Sequence, residues 1–395
     1  MSKGLIAPFA ALAIVAACAS PAAAQGSSGP GSSGSSSGSA DCPSGSSSGS
    51  SSPNPNPIPW YNGQSGRLPD LRGTTEAVSH LTGPYPPNDT AGRYAILGTD
   101  LGIMWDNGDG EVLTAFGDTF GFVLNPLCGF VGDWRSNVLL RSSDRNLANG
   151  MIVDSAPLDR PRHAKELIPS QKIDGIEITV IPTTGIAVGD VQYIDFMSVR
   201  SWGDPGEWFT NFAGLAYSTD NGENWTTDPL MTRPVVGPYA NFQMGSYLPT
   251  ADWMYEFGTP SGRNGPARLA RFKPDQIREQ LAYEYWNGTD WTPGLAGATA
   301  AAPVIDQPVG ELSVAWNDYL AAYVALYTDG TNSIVMRTAA QPWGPWGAPR
   351  TLVSSRDVPT LYGAYLHPWS SGADLYFAAS TWSDYNVMLL RTRLS

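Results

Sequence analysis

From about Trp60 onward the chain is dominated by short apolar runs, about four to eight residues each, closed by Gly, Asn or Asp turns. Ile103-Met104-Trp105 runs into Asn107-Gly108, and Val112 to Phe116 follows Gly110. Tyr193 to Val199, Ala213 to Tyr217, Val314 to Asn317, Tyr323 to Tyr327, Ser333 to Arg337 and Asp374 to Ala379 have the same form. Helical periodicity is scarce, and the one helix the sequence predicts is short, about Pro274 to Glu284. A chain of many short strands with regular turns folds as a sandwich, a barrel or a propeller.

One segment separates these architectures. Ser218-Thr219-Asp220-Asn221-Gly222-Glu223-Asn224-Trp225 fits S-x-D-x-G-x-x-W without a mismatch. It resembles the Asp-box, a hairpin motif of propellers, and its chemistry is structural. Ser and Asp side chains bond the turn backbone, Gly takes a positive φ, and Trp packs beneath. Tyr285 to Trp291 and Tyr327 to Gly330 read as further hairpins of the same kind. The expectation is an all-β, five-bladed β-propeller over residues 60–395, roughly 65 residues to a blade, with six blades as the alternative count.

The residues before the propeller are of another character. Lys3, the apolar run Leu5 to Ala17 and the small residues after it read as a secretory signal over 1–24. Two processing routes are open: ordinary cleavage at Ala22-Ala23-Ala24, or a lipobox, Val15-Ala16-Ala17-Cys18, that acylates Cys18 and anchors the chain to the membrane. Residues 25–59 are a Ser/Gly-rich and then Pro/Asn-rich stretch that buries nothing and is expected to be a disordered linker. The protein is thus expected to be secreted or held in the cell envelope. Cys42 and Cys128 either pair there or remain free thiols.

Formal net charge is -13, which argues against nucleic acid and anionic membrane surfaces as partners. His80, His163 and His367 have no metal-ligand spacing, so no metal is expected, and no cofactor fingerprint is present. A monomer is expected. Gly258-Thr259-Pro260-Ser261-Gly262 misses the nucleophile-elbow spacing. Asp106 to Gly110 fails the calcium-loop pattern and reads as a hairpin turn.

That turn brings two acids into view. With its centre at Asp109, Asp100 and Asp118 stand directly opposite each other on one face, with Cβ atoms about 5 Å apart. Two like charges there are destabilising and raise one proton affinity. A fold gains nothing from this, whereas glycosidic cleavage needs one carboxylic acid for the leaving oxygen and one carboxylate to attack or to activate water. A two-residue turn on Asn107-Gly108 would slide the register and send the two acids to opposite faces. The second concentration, Asp195 to Trp208, mixes an Arg, two Trp and three carboxylates. There Arg200, Trp202 and Asp204 are candidate cleft residues, and Asp204 and Glu207 are reserve acids or bases. Arg135, Asn137, Asn241 and Gln243 are further candidates to line a cleft.

Gly117-Asp118-Thr119-Phe120, Arg135-Ser136-Asn137, Met197 to Gly203, Ala216 to Gly222, Asn241-Phe242-Gln243 and Gly258 to Arg263 together resemble glycoside hydrolase family 183. Its members are endo-D-arabinanases of mycobacteria, their relatives and bacteria that digest mycobacterial walls. The resemblance runs from about Gly92 to the C-terminus. It implies a five-bladed propeller that cleaves α-linked D-arabinofuranosyl chains of arabinogalactan and lipoarabinomannan. It also implies catalytic carboxylates at Asp100 and Asp118, with the division of roles open. A glycan-binding propeller without catalysis and a glycosidase on another furanoside, such as L-arabinan, are the alternatives.

Overall fold

The computed structural model describes residues 67–123, 132–306 and 308–395. The expected signal segment with Cys18, the expected linker over 25–59, and Cys42 and Cys128 lie outside the described residues. The strands group into five antiparallel blades, with two further two-stranded sheets, Thr119–Val123 with Gly132–Arg135 and Leu158–Arg160 with His163–Ala164. Blade 1 holds Leu101–Asp106, Val112–Phe116 and Val138–Ser142, from the inside out. Blade 2 holds Thr179–Val188, Val191–Trp202, Trp208–Ser218 and Thr226–Pro234. Blade 3 begins Met244–Pro249, Met254–Thr259, Ala267–Phe272 and adds short outer strands. Blade 4 holds Leu312–Asn317, Ala322–Thr328, Ile334–Ala339 and Arg350–Val353. Blade 5 holds Leu361–Leu366, Asp374–Thr381 and Asn386–Arg393.

Each inner strand packs beside those of the preceding and following blades, and the inner strand of blade 5 returns to that of blade 1. The ring is closed by the N-terminal strand Thr75–His80, which pairs with Asn386–Arg393 as the outermost strand of blade 5. A buried Thr75–Thr392 hydroxyl contact of 2.7 Å lies at this seam. Closure leaves the first and last segments of the propeller tied to one sheet, and so protects an edge that would otherwise be open.

The blades are stacked face to face, which explains the sequence pattern. Val112–Phe116 and Leu361–Leu366 are buried at every position. Strands covered on both faces read as continuous apolar runs rather than as alternation. The apolar cores lie between blades: Phe242, Phe272 and Tyr285 between blades 2 and 3, Phe257 and Tyr327 between 3 and 4, Phe377 and Leu390 between 4 and 5. Each such side chain contributes about 1.5–3 kcal/mol by leaving water.

The helix expected over Pro274 to Glu284 does not form. Two single 3-10 turns, Pro274–Gln276 and Gln280–Ala282, stand there instead. Tyr283 draws the segment inward: it is fully buried, stacks on Phe272 at 4.1 Å and donates its hydroxyl to the Ile277 carbonyl at 2.7 Å. Tertiary packing overrides a weak local preference. The Asp-box does form. Gly222 N–H bonds Ser218 Oγ at 3.0 Å, Asn224 N–H bonds Asp220 Oδ1 at 2.8 Å, and Trp225 Nε1 donates to the Gly222 carbonyl.

Candidate active site

In an up-and-down sheet, the start of the first strand and the connection from second to third strand lie at the same end. At that end of this propeller five blades deliver their chemistry. Asp100 precedes the inner strand of blade 1, and Thr179 opens that of blade 2. Glu311 precedes that of blade 4, and Tyr362 is second in that of blade 5. Asp118 and Trp134, the pair Trp202 and Trp208, Arg263 and Tyr385 lie in or beside the second-to-third connections of blades 1, 2, 3 and 5 respectively. The Asp-box joins the third and fourth strands of blade 2 and so lies at the other end.

The hairpin register is centred on Asp109, with Ile103 opposite Ala115 and Asp106 opposite Val112. The two-residue turn does not occur: Asn107 N–H bonds the Glu111 carbonyl, and Asn107 Oδ1 gathers the N–H groups of Asp109 and Glu111. Yet Asp100 is not directly opposite Asp118. Leu101 and Gly102 take positive φ, 71° and 92°, and insert a bulge, so Asp100 faces Gly117, whose N–H it accepts at 3.2 Å. The original register resumes where Gly98 bridges Phe120 and where the Thr99 and Thr119 hydroxyls meet at 2.7 Å. The distortion is therefore confined to the stretch that carries the two acids, and bulges of this kind re-aim side chains.

The two carboxylates have different surroundings. Asp118 is buried, and its Oδ1 accepts from Thr179 Oγ1 at 2.5 Å and from Trp134 Nε1 at 2.9 Å. Burial pushes its pKa up to about 6, against those donors and the positive charge of Lys172. Asp100 Oδ2 accepts from the Tyr362 hydroxyl at 2.9 Å, while its buried Oδ1 has no hydrogen-bond partner. Burial, then the negative charge of Asp118, pushes Asp100 up to about 8, against the Tyr362 bond and Arg263. At neutral pH the pair thus holds one carboxylic acid and one carboxylate, the division that acid–base cleavage requires.

Aromatic rings frame the pair. Phe120 stacks on Trp134 at 6.2 Å and meets Tyr385 edge-on at 5.8 Å. Trp382 packs edge-on against Tyr385, and Trp202 against Trp208. Such rings offer faces to sugars, and Lys172, which ion-pairs with Glu166 at 2.5 Å, sits 5.6 Å from the Trp134 ring.

Several cleft residues expected from the sequence serve the fold instead. Arg135 is 4% exposed and spends its guanidinium on the Ala164, Ala95 and Tyr94 carbonyls. Asn137 is fully buried, donates to the Ile168 and Val180 carbonyls, and accepts the N–H groups of Leu167 and Ile168. Gln243, 2% exposed, donates to the Arg233, Pro234 and Tyr239 carbonyls. Asn241 accepts from Arg268 at 2.9 Å within blade 3. Arg135, Asn137 and Gln243 are backbone fasteners, because a loop buried between blades must have its carbonyls and amides satisfied. Asp195 is likewise withdrawn, paired with Arg233 at 2.9 Å beside buried Glu256. Trp202 is half-buried at the site's end of blade 2, and Asp204, Glu207 and Arg200 are exposed there. Thr179, Trp134, Glu311, Tyr362 and Tyr385 escaped sequence reasoning. Their common signal is position: each falls at an inner-strand start or a second-to-third connection, which becomes visible only once the blades are assigned.

A family described as a domain of unknown function, DUF4185, matches residues 86–391. The notoamide biosynthesis cluster protein J of Aspergillus sp. (strain MF297-2) is 33% identical over 311 residues, covering 74% of this chain and 81% of that protein. Its counterpart J′ from Aspergillus versicolor is 32% identical over 315 residues, covering 74% and 83%. Among solved structures, a candidate hydrolase from Bacteroides ovatus superposes with a TM-score of 0.53 at 15% identity, over 76% of this chain and 86% of that one. An exo-β-1,3-galactanase from Phanerochaete chrysosporium, solved with β-1,3-galactotriose, gives 0.50 at 11% identity, over 80% and 64%. At these identities the structural likeness is one of fold: the propeller is similar to that of a glycoside hydrolase.

Proposed function

This chain belongs to the DUF4185 family, and we propose that it is an endo-acting glycoside hydrolase of α-linked D-arabinofuranosyl chains, such as those of mycobacterial-type arabinogalactan and lipoarabinomannan. The observation that carries the reading is the Asp100–Asp118 pair, two carboxyl groups of unequal proton affinity at one end of a closed propeller. The choice of D-arabinan rests on the motif resemblance to glycoside hydrolase family 183. The fungal relatives bear the name of a biosynthesis cluster and lend the substrate no support. The signal segment and linker fit an enzyme held outside the cytoplasmic membrane.

In this mechanism Asp100 gives its proton to the leaving glycosidic oxygen as the bond from the anomeric carbon to that oxygen breaks. Asp118 attacks the anomeric carbon, or takes a proton from the water that does. In the first course the ionised Asp100 then takes one proton from a water whose oxygen displaces Asp118 from the anomeric carbon, which restores both groups; in the second the hydroxyl of the water stays on that carbon and the proton taken by Asp118 returns to Asp100 through solvent. Thr179 and Trp134 hold Asp118 still and ionised for this step.

The test is chromatography of purified mycobacterial arabinogalactan after incubation with the domain from Trp60 to Ser395, beside Asp118→Asn. Oligosaccharides from the unmodified domain that vanish in the variant are the expected result. Retained binding to the polymer with no products from either protein would favour a glycan-binding propeller. Products from L-arabinan alone would move the substrate to another furanoside.

A further inference from the structure

Three residues from three blades converge on Asp100: Tyr362 bonds it, and the charges of Arg263 and Glu311 act on it. Arg263 grips Glu311 through two nitrogens: Nε lies 2.9 Å from Oε1 and 3.1 Å from Oε2, and Nη2 lies 2.5 Å from Oε1. Glu311 is only 4% exposed and is kept anionic by Arg263 and by the backbone N–H groups of Glu311 itself and Gly363. Gly363, at φ 66°, is the residue skipped where the pairing of Tyr362 with Ser380 gives way to that of Ala364 with Ala379. The carboxylate of Glu311 thus holds the irregular backbone from which Tyr362 reaches Asp100. The same guanidinium lies 5.0 Å from the Tyr362 ring and 5.4 Å from the Trp208 ring. Arg263 N–H in turn bonds the Gly206 carbonyl at 3.1 Å, which fixes the blade 3 connection against that of blade 2.

We propose that Glu311, Arg263 and Tyr362 are positioning residues that orient Asp100 and govern whether it holds its proton. The inference rests on the reading of Asp100 as the acid. Buried ion pairs are costly to desolvate, and a pair retained against that cost beside a reactive group is a candidate for setting its charge state. The groups that face Asp100 are Asp118, Glu311, Arg263 and the phenols of Tyr362, Tyr365 and Tyr385. Two of them can be altered with opposite consequences. Tyr362→Phe removes a hydroxyl bond to Asp100 Oδ2 that favours the ionised form, while it keeps the ring beside Arg263. Glu311→Gln removes a negative charge and leaves Arg263 uncompensated, which favours the ionised form.

The experiment has two readouts on the whole propeller: the pH profile of kcat/KM on arabinogalactan, and the Asp100 carboxyl band in isotope-edited infrared titration, assigned by its loss in Asp100→Asn. Tyr362→Phe is expected to move the Asp100 midpoint and the alkaline limb up by about one pH unit, and Glu311→Gln to move both down by about as much. Unchanged midpoints in variants whose thermal unfolding remains cooperative would overturn the proposal, as would shifts of the same sign in both. If Glu311→Gln does not fold, Tyr362→Phe decides alone. An unmodified protein that cleaves no glycan would sink the functional reading but leave the infrared titration to judge the positioning role.

Discussion

Asp118 Oδ1 collects two hydrogen-bond donors, from Thr179 and Trp134, whereas Asp100 leaves its Oδ1 buried with none. This asymmetry, together with the charge of Asp118 acting on Asp100, separates their charge states. Desolvation acts on both, but only Asp118 has donors enough on one oxygen to offset much of it. Asp100, which accepts from Tyr362 on its other oxygen, is pushed up further by the negative charge of Asp118.

The pH dependence follows with a definite sign. Asp118 must be ionised, so kcat/KM falls as pH drops through about 6; Asp100 must be protonated, so it falls as pH rises through about 8. A bell between those limits is the expected profile on arabinogalactan. A profile flat from about pH 5 to about pH 9 would contradict the assignment of both groups.

Gly117 makes the bulge workable, because a Cβ there would stand 2.4 Å from Asp100 Oδ1. Gly117→Ala must displace the Asp100 carboxyl. The variant is expected to lose about 100-fold in kcat, the scale of an ångström's misplacement, while it keeps its far-ultraviolet circular dichroism. Kinetics at saturating substrate check it, and near-normal kcat would show that Asp100's position is not critical.

Asn137 and Trp202 should separate stability from binding. Asn137→Ala leaves two buried carbonyls and two buried N–H groups without their partner and is expected to cost about 2–3 kcal/mol of stability, with KM unchanged in the folded protein. Trp202→Ala removes a half-buried ring at the site's end of the propeller and is expected to raise KM several-fold. Denaturant unfolding and steady-state kinetics on both variants give the comparison. A raised KM in Asn137→Ala would return that residue to the cleft.

Much of the fold was legible because it is written locally. The Asp-box residues Ser218 to Trp225 carry their turn within eight positions, and the strand runs stand between turn residues. The turn of the first hairpin was legible too, but its centre stood open between Asp109 and Asn107-Gly108; in the structure Asn107 takes up the turn's N–H groups and the centre is Asp109. The bulge was not: Leu101 sits at positive φ because Ser380 from blade 5 bonds both its N–H and its carbonyl, a contact 279 positions away in the chain. For the same reason Tyr362 and Glu311 left no trace beside Asp100 in the sequence. Arg135, Asn137 and Gln243 misled in the opposite way: a polar residue next to a strand looks the same whether it meets a ligand or a buried carbonyl.

The most direct test of the central claim, that Asp100 protonates the leaving oxygen, is the response of Asp100→Asn to leaving-group acidity. The variant is expected to lose activity on the polysaccharide by about 10²–10⁴-fold, the contribution of a positioned acid. It should retain most of its activity on an aryl α-D-arabinofuranosyl oligosaccharide whose phenol departs without a proton. Equal losses on both substrates would contradict the role of Asp100 as the acid.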